Sequence, residues 1–328
     1  MKSFSGSYLK KLHIGNITAE SNVLMAPLAG YTCYPFRMMC RSLGAGLAFT
    51  EMVSANGLKY NDQATAKLLY TTDAETPKAV QLLGSVPSAF EAACKGEYTA
   101  AYDLVDINMG CPVPNIIKSG EGCALTQDLP LASKIIEACK RSGKVVTVKF
   151  RPGMNRSRIT VSEFARMCED SGADMITVHG RTRDMMYDGE PVYEYIEAAK
   201  RAVSIPVIAN GGIHSEEDAV RMMDRTGADG VMIARYGLED PMIISQLTGK
   251  HTDATKLSLM LWQAELASSC FDETAAMDYV RKIASYFMKK LRGTKTYKQD
   301  MFRCGSMTEL KKILVRIFEG AENNNVGF

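Results

Sequence analysis

LVDINMGCPVPNIIKSGEGCAL, residues 104–125, is the stretch from which the fold can be read. Its apolar run stops at Gly110, as a fully buried strand does. The chain then breaks into a loop that holds Cys111 between a glycine and Pro112, and Gly120 and Gly122 follow. A strand that delivers a thiol into a Gly/Pro-punctuated loop is one way to place a reactive group at a barrel mouth. Cys111 could also be a packing residue, as most free cysteines are. The neighbouring strands favour the reactive role.

Brief apolar runs at 23–28, 47–53, 78–84, 104–110, 145–151, 174–180, 206–212 and 230–235 read as strands. Stretches of helical periodicity lie between them, among them 130–143, 161–172 and 215–227. The last two are expected to start on Ser162 and Ser215 as N-caps and to stop at Gly172 and Gly227. Repeated βα units with an eight-strand count predict an α/β fold, a TIM (β/α)8 barrel rather than an open doubly wound sheet. Residues 1–19 read as a short β-type lead-in turning at Gly15-Asn16. Beyond the barrel come only helical patterns, including the lone Trp262. The expected division is a catalytic barrel over 1–242 and a C-terminal all-helical domain over 243–328.

A hydrophobic content of 46% with 23% charged residues suits a globular chain, and no apolar segment approaches a membrane span. The N-terminus lacks the apolar core of a signal peptide. Nine cysteines without a C-x-x-C pair fit neither a disulfide framework nor a zinc site. A reducing, cytoplasmic setting without a metal is therefore expected. Residues 281–316 hold eleven Lys/Arg against two acids, a local +9, so the remainder carries about −7 within a net charge of +2. That basic segment points to a polyanion partner, or else to a solvated helix surface.

In a TIM barrel the chemistry sits at the C-terminal strand ends. The first strand ends in Pro27-Leu28-Ala29, small enough for a planar ligand to approach the backbone. The third carries Gln81, the fourth Asn108 and then Cys111, the fifth Lys149 and Arg151, and the sixth His179, Gly180 and Arg181. A lysine inside an apolar strand needs an anion or a polarisable carbonyl, because burying an unpaired charge is costly. Asn210-Gly211-Gly212 after the seventh strand and Ala234-Arg235 after the eighth match the usual phosphate position of such barrels. Backbone donors of the helix opening at Ser215 would join them. These loops imply a phosphate-bearing cofactor, although a sugar phosphate substrate would satisfy them too.

The ordered set MAPLAGYTCYPFR (25–37), TEMVSA (50–55), VQLLG (80–84), DINMGCP (106–112), VKFR (148–151), VHGRTR (178–183), NGGI (210–213) and VMIAR (231–235) resembles the tRNA-dihydrouridine synthases, an FMN-dependent TIM-barrel family, over roughly residues 12–318. The resemblance implies that NADPH reduces FMN, that hydride passes to C6 of a uracil, and that Cys111 protonates C5. It implies flavin contacts from Pro27, Leu28, Ala29, Gln81, Asn108, Lys149 and His179, and a phosphate clamp of Asn210, Gly211, Gly212, Ala234 and Arg235. Arg151 and Arg183 would face the RNA, and Arg181 flavin or RNA. In the C-terminal helices Lys289, Lys290, Arg292, Lys295, Lys298 and Arg303 would contact tRNA phosphates. A monomer acting on tRNA is expected.

Against the family pattern, Asn115 replaces a lysine, Glu121 and Cys123 replace small residues, Ala234 replaces Gly, Tyr236 replaces a small residue and Tyr193 replaces Trp. The departures at 115–123 put the RNA-facing loop, and so the identity of the RNA, in question. Ribosomal RNA is one alternative. A small-molecule FMN-dependent pyrimidine reductase is another, as is an FMN-bound RNA-binding protein with little turnover.

Overall fold

A computed structural model describes residues 2–289, 291 and 295–325. Eight parallel strands close into a barrel: β3 (Val23–Met25), β4 (Leu47–Ser54), β5 (Ala79–Leu83), β6 (Leu104–Met109), β7 (Val145–Phe150), β8 (Met175–His179), β9 (Val207–Asn210) and β10 (Gly230–Ile233). β10 returns to pair with β3, Met232 opposite Leu24, which closes the cylinder. The strands are near-continuous apolar runs because a parallel strand is buried on both faces. All eight expected strands are present, each within three residues of its expected ends.

Two hydrophobic clusters follow from strand alternation. The inward one holds Leu24, Leu47, Ala79, Leu104, Val145, Met175, Ile208 and Met232. Before the barrel comes a hairpin of β1 (Leu12–Ile14) and β2 (Ile17–Ala19), turning at Gly15-Asn16 as expected. Leu12, Ile14 and Ala19 join the inward cluster, so the hairpin plugs the end of the barrel away from the site. The lead-in also contains a short helix, Phe4–Ser7, capped by Ser3, which the β-type reading did not include. The outward cluster lies between strands and helices and continues without a break into the C-terminal helices.

Ser215 caps the helix Glu216–Thr226 by accepting from the Asp218 amide, and Gly227 ends it in the left-handed conformation, both as expected. The cap expected at Ser162 is not formed. That helix starts at Val161 after Thr160, and the Ser162 hydroxyl donates to the Ala198 carbonyl at 3.4 Å instead. The helix Met242–Thr248 packs on the helices Phe4–Ser7 and Glu216–Thr226 and on β3, as part of the barrel's outer ring. Helices Lys256–Cys270, Glu273–Phe287, Lys295–Arg303 and Met307–Asn325 pack on one another. They are keyed to the barrel at the helix Tyr34–Ser42, where the Gln263 side-chain amide donates to the Pro35 carbonyl at 2.8 Å.

Candidate active site

Alternation along each strand builds the floor of the site. Residues two apart point the same way, so the inward series runs Leu104, Asp106, Asn108 on β6 and Val145, Thr147, Lys149 on β7. On β8 it runs Met175, Thr177, His179, and on β9 Ile208, Asn210. Each series is apolar deep in the barrel and polar at its mouth. The mouth opens into a cleft of about 350 Å³. Of the residues expected to contact cofactor, all but Gln81 line this cleft, and so do Cys111, Arg151 and Arg181.

Gln81 lies one layer below. It is fully buried, donates to Asp106 at 2.6 Å, and accepts from the Asn108 amide at 2.9 Å. Its effect on the cleft passes through Asn108. The Asn108 oxygen in turn accepts the backbone N–H groups of Gly110 (3.1 Å) and Cys111 (2.9 Å), which fixes the loop that presents the thiol.

Asp106 was not singled out in the sequence, although an acid within DINMG is a visible signal. Burial pushes its carboxyl up to about 6, against hydrogen bonds from Gln81 and Thr147 and the charge of Lys149. Burial also pushes the Lys149 ammonium down to about 8, helped by Arg151 and opposed by Asp106. Its one hydrogen bond among the described residues goes to the Asn210 side-chain oxygen at 2.9 Å. His179 is held well below its ordinary value by burial and by the surrounding Arg151, Lys149, Arg181 and Arg235, so its imidazole is neutral. Cys111 is pushed up by burial, opposed by the Val113 backbone and Arg151, and stays a thiol at neutral pH.

The arginines expected to face flavin or RNA act as struts around the cleft. Arg151 is 2% exposed and donates to the carbonyls of Gly110 (3.0 Å), Thr182 (2.9 Å) and Arg181 (3.4 Å). It thereby ties the cysteine loop to the loop after β8. Arg181 donates twice to the Gly189 carbonyl, at 3.0 and 2.7 Å, and Arg183 donates to the Pro112 carbonyl at 3.2 Å.

On the β9–β10 side, Gly211 and Gly212 have φ of 118° and 67°. A Cβ at Gly211 would stand 2.9 Å from the His179 ring, and one at Gly212 would stand 2.9 Å from Pro191, so only glycine fits. The following helix terminus is less available than expected. Ser215 takes the Asp218 amide, and Asp218 takes the His214 amide at 2.9 Å. The exposed Arg235 guanidinium stacks over the Tyr187 ring at 4.5 Å, with Arg151 over the same ring at 5.5 Å. Tyr187, Tyr31 and Tyr286 line the cleft and were not singled out by sequence reasoning.

The altered loop divides. Asn115 is exposed and Glu121 half-buried, but Cys123 is fully buried with its sulfur 3.9 Å from the Gly153 carbonyl. Cys123 therefore does not face RNA; it packs beneath the loop. Among the C-terminal residues, Lys289 is ion-paired with Glu239, Lys298 is partly exposed and Arg303 exposed. Lys290 and Arg292 lie outside the described residues, as does the side chain of Lys295.

Cations ring the cleft, and a buried ammonium at its floor has only an amide for a partner. Such a cleft suits an anionic ligand. The chain belongs to the dihydrouridine synthase family, whose model matches residues 24–322, and is thus a flavin-dependent oxidoreductase. It is 32% identical to tRNA-dihydrouridine synthase B of Pseudomonas aeruginosa over 326 residues, covering 96% of this chain and 98% of that one. It is 34% identical to a probable tRNA-dihydrouridine synthase of Synechocystis over 324 residues, 94% of this chain and 89% of that one. Among solved structures, morphinone reductase superposes with a TM-score of 0.55 at 14% identity, covering 79% and 94% of the two chains. Histamine dehydrogenase from Rhizobium matches at 0.58 and 15%, covering 73% and 47%. These two show the barrel fold.

The residues present fit a flavin: Lys149 would set a cation against the electron-accepting edge of the ring, and Asn108 would offer a polar contact. Pro27-Leu28-Ala29 lines one wall, and Gly211, Gly212 and Arg235 line the β9–β10 side, where a phosphate would sit.

Proposed function

We propose that this protein reduces the C5–C6 double bond of uridines in tRNA to dihydrouridine, with FMN as the flavin and NADPH as reductant. The observation that carries the reading is the pairing of a protonated thiol, Cys111, with a buried cation, Lys149, in one cleft. Bound FMN, once reduced by NADPH, supplies hydride to C6 of the uracil. Addition at C6 leaves negative charge toward C5 and O4, and C5 then needs a proton. Cys111 supplies it from the cleft wall, its loop held by Asn108 and by the Arg151 bond to Gly110. Lys149 offsets negative charge on the flavin edge, with Asn210 holding its ammonium in place. Gly211, Gly212, Asn210, Ala234 and Arg235 seat the phosphate. The target base must leave its stack to reach the cleft, which costs a few kcal/mol, least in a loop.

The helices from Lys256 onward hold the RNA in this reading, with Lys298 and Arg303 among the phosphate contacts. Dihydrouridine mapping across tRNA and ribosomal RNA, from cells with and without the gene, tests it. Loss at one or more tRNA positions is the expected result. Loss confined to ribosomal RNA, or no loss at all, overturns it.

A further inference from the structure

The cleft has a wall that the chemistry above leaves unused. Tyr31 follows Gly30 in the loop after β3, and its ring meets Tyr286, of the helix Glu273–Phe287, edge-on with centroids 5.2 Å apart at 80°. Both rings line the cleft. Among the described residues, Tyr286 is the only one beyond position 242 that does so. The Tyr31 turn is fixed from within, with the amides of Tyr31 and Thr32 both donating to the Leu28 carbonyl at 3.0 and 3.1 Å. The Gly30 amide donates to the Glu51 side chain, in the middle of β4. The neighbouring Tyr286 phenol together with burial pushes the Tyr31 phenol up to about 12, so Tyr31 stays neutral.

Position around the barrel suggests what this wall does. β3 is the first strand of the cylinder and β7, with Lys149, the fifth, so Tyr31 stands across the mouth from Lys149. The reacting uracil must reach Cys111, at the end of the fourth strand. An RNA strand lying on the C-terminal helices crosses the mouth where those helices meet the barrel, and that is the tyrosine edge. Extruding one nucleotide unstacks its neighbour, and an aromatic face at that point replaces the lost stack whatever the neighbour's sequence.

We propose that Tyr31, buttressed by Tyr286, is an RNA-binding residue: the stacking platform for the nucleotide beside the one admitted to the cleft. This rests on the RNA-reducing function proposed above. The test compares purified full-length wild type, Tyr31→Ala and Tyr31→Phe on an unmodified tRNA transcript. Losing one base–aromatic stack weakens binding by roughly 5- to 150-fold. Y31A is therefore expected to raise KM for the transcript at least about fivefold while kcat stays within about twofold. Flavin content and melting temperature should match wild type. Y31F, which keeps the ring, should stay within about twofold of wild type. An unchanged KM in Y31A overturns the proposal. So does a Y31F defect as large as that of Y31A, because the hydroxyl rather than the ring would then be what matters. A wild type that forms no dihydrouridine would instead sink the function reading itself, which separates the two failures.

Discussion

Lys149 donates to the side-chain oxygen of Asn210 at 2.9 Å, joining β7 to β9 across the barrel mouth over 61 residues of chain. The bond orients the ammonium without neutralising it, and the carboxyl of Asp106, one layer below, favours its charged form. A buried charge in this state is held for a ligand rather than for the fold.

The cost should show in the flavin-free protein. With the folded-state ammonium held near 8 and an ordinary value of 10.5, the unfolded chain binds the proton more tightly between those limits. The contribution of this group to stability therefore rises with pH from about 8 to 10.5. Lys149→Met should remove that rise and stabilise the flavin-free fold at neutral pH by roughly 1–3 kcal/mol. Denaturant unfolding across pH checks both. The same variant should slow NADPH-driven flavin reduction at least about tenfold, and an unchanged rate would mean that the cation does not serve the flavin.

Cys111→Ala should lower dihydrouridine formation about a hundredfold or more, the usual worth of a positioned general acid. Flavin content and flavin bleaching by NADPH should be unaffected. Because burial raises the thiol above its ordinary 9, loss of the acid should not limit the rate below about pH 9. Single-turnover measurement of product across pH would reveal an earlier fall.

Arg151→Ala removes donors to three carbonyls and should cost about 1–3 kcal/mol, some of the loss offset by relief of repulsion with Lys149. Arg151→Lys should not restore it, since one ammonium cannot span the same fork of carbonyls. Chemical unfolding gives the stability. Dihydrouridine formation by the Lys variant shows whether the cysteine loop has lost its register.

Gly211→Ala and Arg235→Ala should both shed flavin on gel filtration. The glycine variant should be the more severe, because φ of 118° and the His179 contact act together. Full flavin retention by both would place the phosphate seat elsewhere.

Lys298→Gln with Arg303→Gln should weaken tRNA binding and reduce the slope of log affinity against log salt by about 2. An unchanged slope would mean that the helix Lys295–Arg303 does not track phosphates.

The sequence by itself determined the barrel, its strand order of use and most of its cleft. A parallel strand buried on both faces must be a continuous apolar run, and the residue that breaks the run marks the strand end, as Gly110 and Asn210 do. Period-two alternation even separates neighbours such as Asn108 and Ile107. It could not say how deep each inward residue lies, which depends on barrel stagger: Gln81 and Asn108 both point inward, yet only Asn108 reaches the cleft. Nor could it say whether an arginine points at a ligand or at a carbonyl. Arg151 and Arg183 became struts because loops from β6, β7 and β8 converge on them with unpaired carbonyls. The Tyr31–Tyr286 contact was decided by tertiary structure alone. It joins residues 255 positions apart through the docking of one helix, and no local pattern in either segment encodes that meeting.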